Sequence, residues 1–324
     1  FYSIKLFHSF TFPPFHLKKM NEISVLAPAT VANVVCGFDC LGFCLEEPND
    51  LMTIRLIDEK VIKIKHLDDY NLPTEPKKNV AGKALLAVLE RVEENIGFEV
   101  EITKRIMPGS GVGSSAASAA GAVVAANKLL GERFSPNELV ELAMYGEMVA
   151  SGAKHADNIA PCVLGGFTLV RSVEPMDVIQ IDYPQLFATI IHPQIEIKTS
   201  YAREILPKEV PLKSAIRQWS DVGSLIAGLN KGDYDLIARS LQDFIIEPVR
   251  KKLIPHFDEV KAASMKAGAL GGSISGAGPS IFMFSKDLEI ANKIKDAMNG
   301  VYSQTGIDFK IYVSPISSKG VVKQ

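Results

Sequence analysis

The sequence predicts an α+β protein built from about two domains. Strand-like and helix-like segments are intermixed along the chain, without the regular alternation of a doubly wound parallel sheet. The chain has 324 residues, whereas a folded domain averages roughly 150 residues. We therefore expect an N-terminal domain over residues 20–180 and a C-terminal domain over residues 181–324, with the boundary in proline-containing stretches near residue 180.

The composition favours a globular protein that acts on small molecules. Apolar residues make up 47% of the chain and charged residues 22%, which excludes disordered and collagen-like chains. With 35 basic and 37 acidic side chains, the net charge of −2 predicts neither nucleic acid nor a membrane as a partner. The uncharged window 106–127 is long enough to cross a bilayer. Its proline, four glycines and four serines exclude a transmembrane helix.

The cysteines and the N-terminus bear on the compartment. Four cysteines are too few for a disulfide scaffold and lack the paired spacing of a zinc ribbon, so we interpret them as small buried apolar side chains. They are Cys36, Cys40, Cys44 and Cys162. Residues 1–19 contain no acidic side chain, and we interpret them as an extension outside the core, either a targeting remnant or sequence upstream of an initiator at Met20. With that start, we expect a cytoplasmic protein.

Hydrophobic periodicity predicts most of the strands and helices. The predicted strands are residues 51–57, 61–65, 98–102, 165–170, 187–192, 280–284 and 309–313. A helix that starts at residue 80 is predicted before the third strand, with Asn79 as its N-cap and Gly97 beyond its end. The helices predicted in the C-terminal half are residues 215–230, 233–245, 256–267 and 288–298.

Two further helices are predicted in the middle of the chain. An alanine-rich helix over residues 115–130 ends before Gly131, and its small side chains favour close packing on a neighbour. A second helix, over residues 136–150, follows a capping box formed by Ser135 and Glu138.

A glycine-rich stretch before the alanine-rich helix predicts a phosphate-binding loop. Residues 108–117 (PGSGVGSSAA) carry glycines at 109, 111 and 113, which allow the backbone to turn its N–H groups inward. The start of the next helix adds unpaired N–H donors and a partial positive charge. The stretch lacks the lysine of a Walker loop, meets only a relaxed form of the dinucleotide fingerprint, and has no serine-hydrolase elbow.

Glu147 lies on the apolar side of the helix over residues 136–150, eight positions after Leu139. A carboxylate on a buried face needs a partner. We expect Glu147 and the Ser115 hydroxyl to supply oxygen ligands to a Mg²⁺ that also holds nucleotide phosphates. An exposed or salt-bridged Glu147 is the alternative.

A polar stretch over residues 151–161 follows, with His155, Asp157 and Asn158 close together. A Ser-His-Asp triad is excluded, because adjacent residues on one loop rarely have the geometry of a triad. We interpret the stretch as a substrate contact, and a structurally capped polar turn is the alternative.

Three segments together resemble the motifs of the GHMP small-molecule kinases. They are residues 27–33 (APATVAN) followed by GFD at 37–39, the loop 108–117, and residues 272–280 (GSISGAGPS). Within that superfamily, three more segments are similar to the homoserine kinase family. They are residues 155–158 (HADN), 199–207 (TSYAREILP) and 246–250 (IEPVR).

The resemblance implies a two-domain fold with a left-handed βαβ unit and a ferredoxin-like C-terminal sandwich. It also implies ATP-dependent phosphorylation of the L-homoserine hydroxyl, a step of threonine synthesis. Mg²⁺ would lie on Ser115 and Glu147, and adenine beside Asn79. The phosphate-binding residues would be Pro108, Gly109, Ser110, Gly111, Val112, Gly113, Ser114 and Ser115. The homoserine-binding residues would be Asn33, Asp39, His155, Asn158, Thr199, Arg203, Arg250 and Gly276.

This assignment agrees with the chemistry of the substrate, because an amino acid offers a carboxylate to arginine and an ammonium to aspartate. Asn158 stands where mevalonate-type relatives have a catalytic aspartate. We therefore expect catalysis by positioning and charge neutralisation, with Asp157 as the alternative base. A mevalonate-type kinase and a catalytically silent metabolite-binding regulator are the rival functions. The sequence leaves open whether the chain forms a homodimer.

Overall fold

A computed structural model of the protein describes residues 21–152 and 155–324. The interpretation of residues 1–19 as an extension concerns a segment outside the described residues. Ala153 and Lys154 of the polar stretch also lie outside them. The described chain folds into two sheets with helices packed on each, which confirms the predicted α+β class.

The first sheet consists of strands β1 Glu22–Val34, β2 Gly37–Ile57, β3 Ile62–His66, β4 Gly97–Thr103, β5 Phe167–Val173, β6 Met176–Ile181 and β11 Val322–Lys323. It is mainly antiparallel, with strand order β11-β1-β2-β4-β3, and β5 pairs with both β2 and β6. Strands β3 and β4 are parallel neighbours, and the helix α1, Val80–Glu90, connects them. Together they form a βαβ unit, whose connecting helix carries Asn79 at its N-terminus.

Helix α2, Ser114–Leu129, is the buried element on which the phosphate loop is built. It contacts β1 and β2 on one side and the helices α1 and α3 on the other. Helix α3 spans Pro136–Ser151, and α4 spans Ile159–Leu164. Close approach depends on small residues, since a Cβ at Gly121 would lie 3.1 Å from Ala27 Cβ. The alanine-rich composition predicted this packing.

The second sheet consists of strands β7 Phe187–Pro193, β8 Gly271–Ile274, β9 Ile281–Ser285 and β10 Phe309–Pro315. Its strand order is β10-β7-β9-β8, and all its strand pairs are antiparallel. Helices α9, Phe257–Lys266, and α10, Leu288–Tyr302, contact this sheet. The order of strands and helices is that of a ferredoxin-like βαββαβ unit.

Four further helices lie between β7 and α9. They are α5 Thr199–Glu204, α6 Leu212–Lys231, α7 Tyr234–Ser240 and α8 Glu247–Arg250. The predicted domain boundary near residue 180 falls close to the end of β6, and the division itself stays a prediction. Within the two described ranges, no helix is long and apolar enough to cross a membrane.

The predicted helix over residues 233–245 is confirmed at its start, where Asp233 is the N-cap, and is wrong at its end. Helix α7 ends at Ser240, and α8 begins at Glu247. Between them, Asp243 Oδ1 accepts hydrogen bonds from the backbone N–H groups of Ile245 and Ile246, each at 2.9 Å. Its Oδ2 accepts from the N–H of Glu247 at 2.9 Å. The Asp243 carboxylate replaces helical hydrogen bonds, as short polar side chains do near helix ends.

The predicted start of α1 is confirmed, and Gly97 lies beyond its end as predicted, although the C-cap is Arg91. Asn79 accepts a hydrogen bond from Gly82 N at 3.0 Å and is the N-cap. The helix ends at Glu90, several residues before Gly97. The capping box of α3 is confirmed, with Ser135 and Glu138 each bonding the other's backbone N–H.

Candidate active site

The phosphate loop has the backbone conformation that its glycines allow. Gly109, Gly111 and Gly113 have φ angles of 76°, 81° and 71°, a region that residues with a side chain rarely adopt. A Cβ at Gly111 would lie 2.7 Å from Gly278 O, whereas a Cβ at Gly109 would meet nothing within 4 Å. At position 111 a side chain would therefore clash with Gly278. At position 109 there is room for a side chain, but the positive φ angle favours glycine.

Residues 272–280, the third GHMP-like motif, hold the phosphate loop by hydrogen bonds to its backbone carbonyls. Ser275 Oγ donates to Gly111 O at 2.7 Å, and Ser280 Oγ donates to Ser110 O at 2.6 Å. Within the described residues, the backbone N–H groups of residues 111–115 donate to no protein acceptor. A loop that engages its carbonyls and leaves its N–H groups unpaired at a helix start is suited to an anion.

A buried ion pair lies under the first turn of α2. Lys104 Nζ donates to the carboxylate of Asp50, to Ser114 O at 2.7 Å and to Ser118 Oγ at 2.9 Å. The side chains of Lys104 and Asp50 are 1% and 0% exposed. Asp50 Oδ1 also accepts from the N–H groups of Arg105 and Ile106. The sequence offered no signal for this pair, because nothing in the pattern separates Lys104 from the exposed lysines.

The structure brings Ser115 and Glu147 together, as expected. Ser115 Oγ donates to Glu147 Oε2 at 2.7 Å. Burial raises the pKa of Glu147 to about 7, opposed by the hydrogen bond from Ser115 and increased by Asp157. The side chain approaches the loop because α3 packs closely on α1, where a Cβ at Gly146 would lie 2.5 Å from Val80 O.

Asp157 and Asn158 lie at the start of α4, where Asn158 is the N-cap residue. Asn158 Oδ1 accepts a hydrogen bond from Thr30 Oγ1 at 2.9 Å. Asp157 is 3% exposed, and its pKa is raised to about 7 by burial and by the negative charge of Asp39. Both residues line the same cavity.

An arginine–aspartate cluster lies on the far side of Asn158. Arg203 Nη2 donates to both carboxylate oxygens of Asp39, at 2.7 and 3.0 Å. Arg203 Nε is buried and has no hydrogen-bond partner among the described residues. His155 Nδ1 lies 3.8 Å from Asp39 Oδ1, and burial lowers the pKa of His155.

Arg250 completes this cluster from α8. Its Nε donates to Ala202 O at 2.9 Å, and its Nη1 donates to Gly276 O at 3.2 Å. Burial, together with the positive charge of Arg203, lowers the pKa of Arg250 to about 10. Asn33 Nδ2 also donates to Gly276 O, at 2.8 Å, so the first and third motifs meet here.

Phe38 is a site residue that sequence reasoning did not single out. The guanidinium carbons of Arg203 and Arg250 lie 5.3 and 5.0 Å from the centre of its ring. These are cation–π distances, so one ring supports two like charges. The residue stood in the GFD segment at 37–39, but its neighbours in space lie far away in the sequence.

Asn79 lies at the other end of the cavity and bonds mainly to its own chain. Its Oδ1 caps α1, and its Nδ2 donates to Pro73 O at 2.6 Å and lies 3.1 Å from His66 Nε2. His66 and Leu72 also line this end, and neither was predicted.

One cavity of about 320 Å³ joins these groups. Of the predicted residues, it is lined by Asn33, Asp39, Asn79, Pro108, Gly109, Gly111, Gly113, Ser114, Ser115, Glu147, His155, Asp157, Asn158, Thr199, Arg203, Arg250 and Gly276. The structure does not place Ser110 or Val112 in the lining, since each is 1% exposed. These two residues support the loop from its buried side.

Comparison with known proteins places the chain in a family. The models for the GHMP kinases N terminal domain and the GHMP kinases C terminal region match residues 79–166 and 225–304. A mevalonate kinase from L. major shares the fold, with a TM-score of 0.68 at 14% identity over 92% of this chain and 97% of that chain. The chain therefore belongs to the GHMP kinases.

More similar relatives narrow the family. A homoserine kinase of Chlorobaculum tepidum is 47% identical over 93% of this chain and 98% of its own length. A homoserine kinase of Chloroherpeton thalassium is 46% identical over 93% and 99%. The crystal structure of homoserine kinase from Cytophaga hutchinsonii has a TM-score of 0.90 and 46% identity, covering 99% of this chain and all of that one. Within the GHMP kinases, this chain belongs to the homoserine kinase family.

Proposed function

We propose that the protein transfers the γ-phosphoryl group of ATP to the hydroxyl of L-homoserine, giving O-phospho-L-homoserine and ADP. The observation that carries this function is the single cavity that joins an anion-binding loop to a cluster of opposite charges suited to an amino acid. The similarity to homoserine kinases, which extends over 93% of this chain, supports the same substrate.

The ATP phosphates would bind at the N-terminus of α2. The N–H groups of residues 111–115, which have no acceptor among the described residues, lie at this helix start, and the dipole of α2 adds a partial positive charge. Lys104 Nζ donates a hydrogen bond to the carbonyl of Ser114. This bond would fix the first turn of α2 before the phosphates bind. Adenine would occupy the end of the cavity near Asn79 and His66.

The homoserine backbone would bind between Asp39 and the two arginines. In the free protein Asp39 and Arg203 pair with each other. A zwitterionic amino acid can separate them without leaving either unpaired, because its ammonium replaces Arg203 and its carboxylate replaces Asp39. The buried Nε of Arg203, which has no partner in the described chain, would then gain one. Mevalonate lacks an ammonium and would leave Asp39 unsatisfied.

Ser115 and Glu147 fit a Mg²⁺ that accompanies the phosphates. Both present oxygen atoms, and these lie 2.7 Å apart in the cavity. The described residues contain no cluster of three or more His, Cys, Asp or Glu side chains suited to a metal. The protein would therefore supply two oxygen ligands, and Mg²⁺ usually takes the rest from phosphates and water. When bound, the ion would neutralise charge on the phosphates.

The transfer itself needs little covalent chemistry from the protein. The substrate oxygen forms a bond to the γ-phosphorus as the bond to the ADP oxygen breaks, and the hydroxyl proton leaves to an oxygen of the transferred group. The chain would orient the two substrates and stabilise charge. The product is an intermediate of threonine synthesis, and we propose that role and a cytoplasmic location.

A coupled assay of ADP release tests this function. L-Homoserine, mevalonate and L-threonine should be compared at equal concentration, with ATP and Mg²⁺ present. We expect rapid turnover with homoserine only. Preferred turnover of mevalonate would indicate another kinase of the class, and ATP binding without any turnover would indicate a metabolite-binding regulator.

A further inference from the structure

Thr30 lies between the phosphate loop and Asn158 and was not among the predicted site residues. It is fully buried on β1. Its backbone N–H donates to Val112 O at 3.2 Å, and a Cβ at Gly113 would lie 2.1 Å from Thr30 Oγ1. The hydroxyl therefore lies directly against the loop.

The hydroxyl of Thr30 determines how the carboxamide of Asn158 is oriented. A buried hydroxyl needs an acceptor for its one proton. Within the described residues, the Thr30 hydroxyl has Asn158 Oδ1 as its hydrogen-bond partner, at 2.9 Å. If the carboxamide were reversed, its nitrogen would donate to Thr30, and the Thr30 proton would have no acceptor. The Asn158 carboxamide therefore directs its oxygen, and not its nitrogen, toward the Thr30 hydroxyl.

The nitrogen of Asn158 then lies at the opposite end of the carboxamide. Asn158 is the N-cap residue of α4, but its side chain makes no capping hydrogen bond. Its Nδ2 donates to no group of the described chain, and Asn158 lines the cavity between the phosphate loop and the arginine cluster. Two N–H donors are therefore available to the reacting groups.

We infer that Thr30 is a positioning residue, whose hydroxyl holds Asn158 with its N–H₂ group facing the substrates. The inference rests on the proposed kinase function and adds a direction to the role of Asn158. In this orientation Asn158 donates to the homoserine oxygen or to the γ-phosphate. It does not accept the hydroxyl proton, because its oxygen is engaged by Thr30 and faces the loop.

Five proteins test the inference: the wild type, Thr30→Val, Thr30→Ser, Asn158→Ala and the double variant Thr30→Val/Asn158→Ala. Valine keeps the shape of threonine and the backbone bond to Val112, and serine keeps the hydroxyl. We expect Thr30→Val to lower kcat roughly tenfold, as the loss of one well-placed hydrogen bond would. The KM values for homoserine and ATP should change less than about twofold. Thr30→Ser should restore kcat to within about twofold of the wild type.

The double variant separates positioning from packing. If Thr30 acts through Asn158, Thr30→Val has no further effect on kcat in the Asn158→Ala background. An equal loss in both backgrounds would overturn the inference and assign Thr30 to the phosphate loop. A Thr30→Ser protein as impaired as Thr30→Val would also overturn it, as would a Thr30→Val protein with wild-type kcat.

A second readout does not depend on activity. In protein labelled with ¹⁵N-asparagine, the side-chain N–H₂ signals of Asn158 are identified by their loss in Asn158→Ala. We expect these signals to shift in Thr30→Val and to stay near their wild-type positions in Thr30→Ser. If the wild type failed to phosphorylate homoserine while this pattern held, the proposed function would fall and the orientation of Asn158 would stand. Unchanged signals in Thr30→Val would overturn the orientation itself.

Discussion

Arg203 and Asp39 are joined across the cavity by two contacts, from Arg203 Nη2 to Oδ1 at 2.7 Å and to Oδ2 at 3.0 Å. The two residues lie 164 positions apart in the chain. Their pairing neutralises these two charges within the cavity, while Arg250 beside them bonds to the backbone carbonyls of Ala202 and Gly276. If homoserine binds between these residues as proposed, it has to compete with an ion pair already formed.

Replacing Arg203 should weaken homoserine binding. Arg203→Ala removes a charged hydrogen bond to the substrate carboxylate, which is worth about 1.5–3 kcal/mol. We expect the KM for homoserine to rise by roughly one to two orders of magnitude, with the KM for ATP nearly unchanged in steady-state assays. Arg217→Ala is the matched control, since Arg217 stacks on Phe244 at 3.7 Å and does not line the cavity. An equal loss of ATP affinity in Arg203→Ala would contradict this placement.

Glu147→Gln should change the dependence of activity on Mg²⁺. The amide keeps the size of the side chain but removes the charge that a hard cation prefers. We expect a higher Mg²⁺ concentration for half-maximal rate in a variant that still folds. Glu141→Gln, on the same helix but paired with the exposed Arg91, serves as control. Identical Mg²⁺ titrations for Glu147→Gln and wild type would remove Glu147 from the metal site.

Two glycines of the phosphate loop should differ in their tolerance of a side chain. Gly109 and Gly111 both have positive φ angles, but only a Cβ at Gly111 would clash, at 2.7 Å from Gly278 O. We expect Gly111→Ala to abolish ATP binding by calorimetry, and Gly109→Ala to weaken it much less. Equal affinities in the two variants would show that contact with the third motif does not shape the loop.

The buried pair of Lys104 and Asp50 should respond more strongly to single than to double substitution. Lys104→Met leaves a buried carboxylate without its partner, which costs about 3–5 kcal/mol of unfolding free energy. Lys104→Met/Asp50→Asn should recover part of that loss in urea denaturation. Lys63→Met is the control, because Lys63 and Glu99 form an exposed pair at 3.4 Å, and it should change stability by less than about 0.5 kcal/mol. Additive losses in the double variant would exclude direct coupling.

Asp157→Asn should make the stability of the free protein less dependent on pH. Burial raises the pKa of Asp157 from an ordinary value of 3.8 to about 7. The folded state therefore holds a proton that the unfolded state releases, and stability falls as pH rises between about 4 and 7. The asparagine variant lacks this loss, so its unfolding free energy should gain most on the wild type above pH 7. A pH profile parallel to that of the wild type would contradict the shifted pKa.

The same variant tests the chemistry. If the hydroxyl proton leaves to the phosphoryl group, Asp157→Asn should retain substantial turnover of homoserine. Abolished kcat in a protein that still folds and binds ATP would identify Asp157 as the general base.

The local features of the fold could be predicted because they depend on neighbours in the chain. The N-cap at Asn79 and the capping box of Ser135 and Glu138 are interactions over three residues, and the glycine spacing at 109, 111 and 113 acts on one loop. Periodicity likewise predicted Glu147 on the apolar side of its helix. Helix ends were less certain, as Asp243 shows, because a carboxylate near a helix end has a choice of backbone donors.

The sequence by itself therefore determined the α+β class, the glycine-rich conformation of the loop over residues 108–117 and the set of chemical groups available to the site. Only the tertiary structure decided which of these groups meet. Thr30 lies 128 positions from Asn158, and Lys104 lies 54 positions from Asp50. Phe38 meets Arg203 and Arg250 only because elements of both sheets meet around the cavity. The physical reason is that strand register and the packing of the two sheets set these distances, and residue order along the chain does not encode them locally.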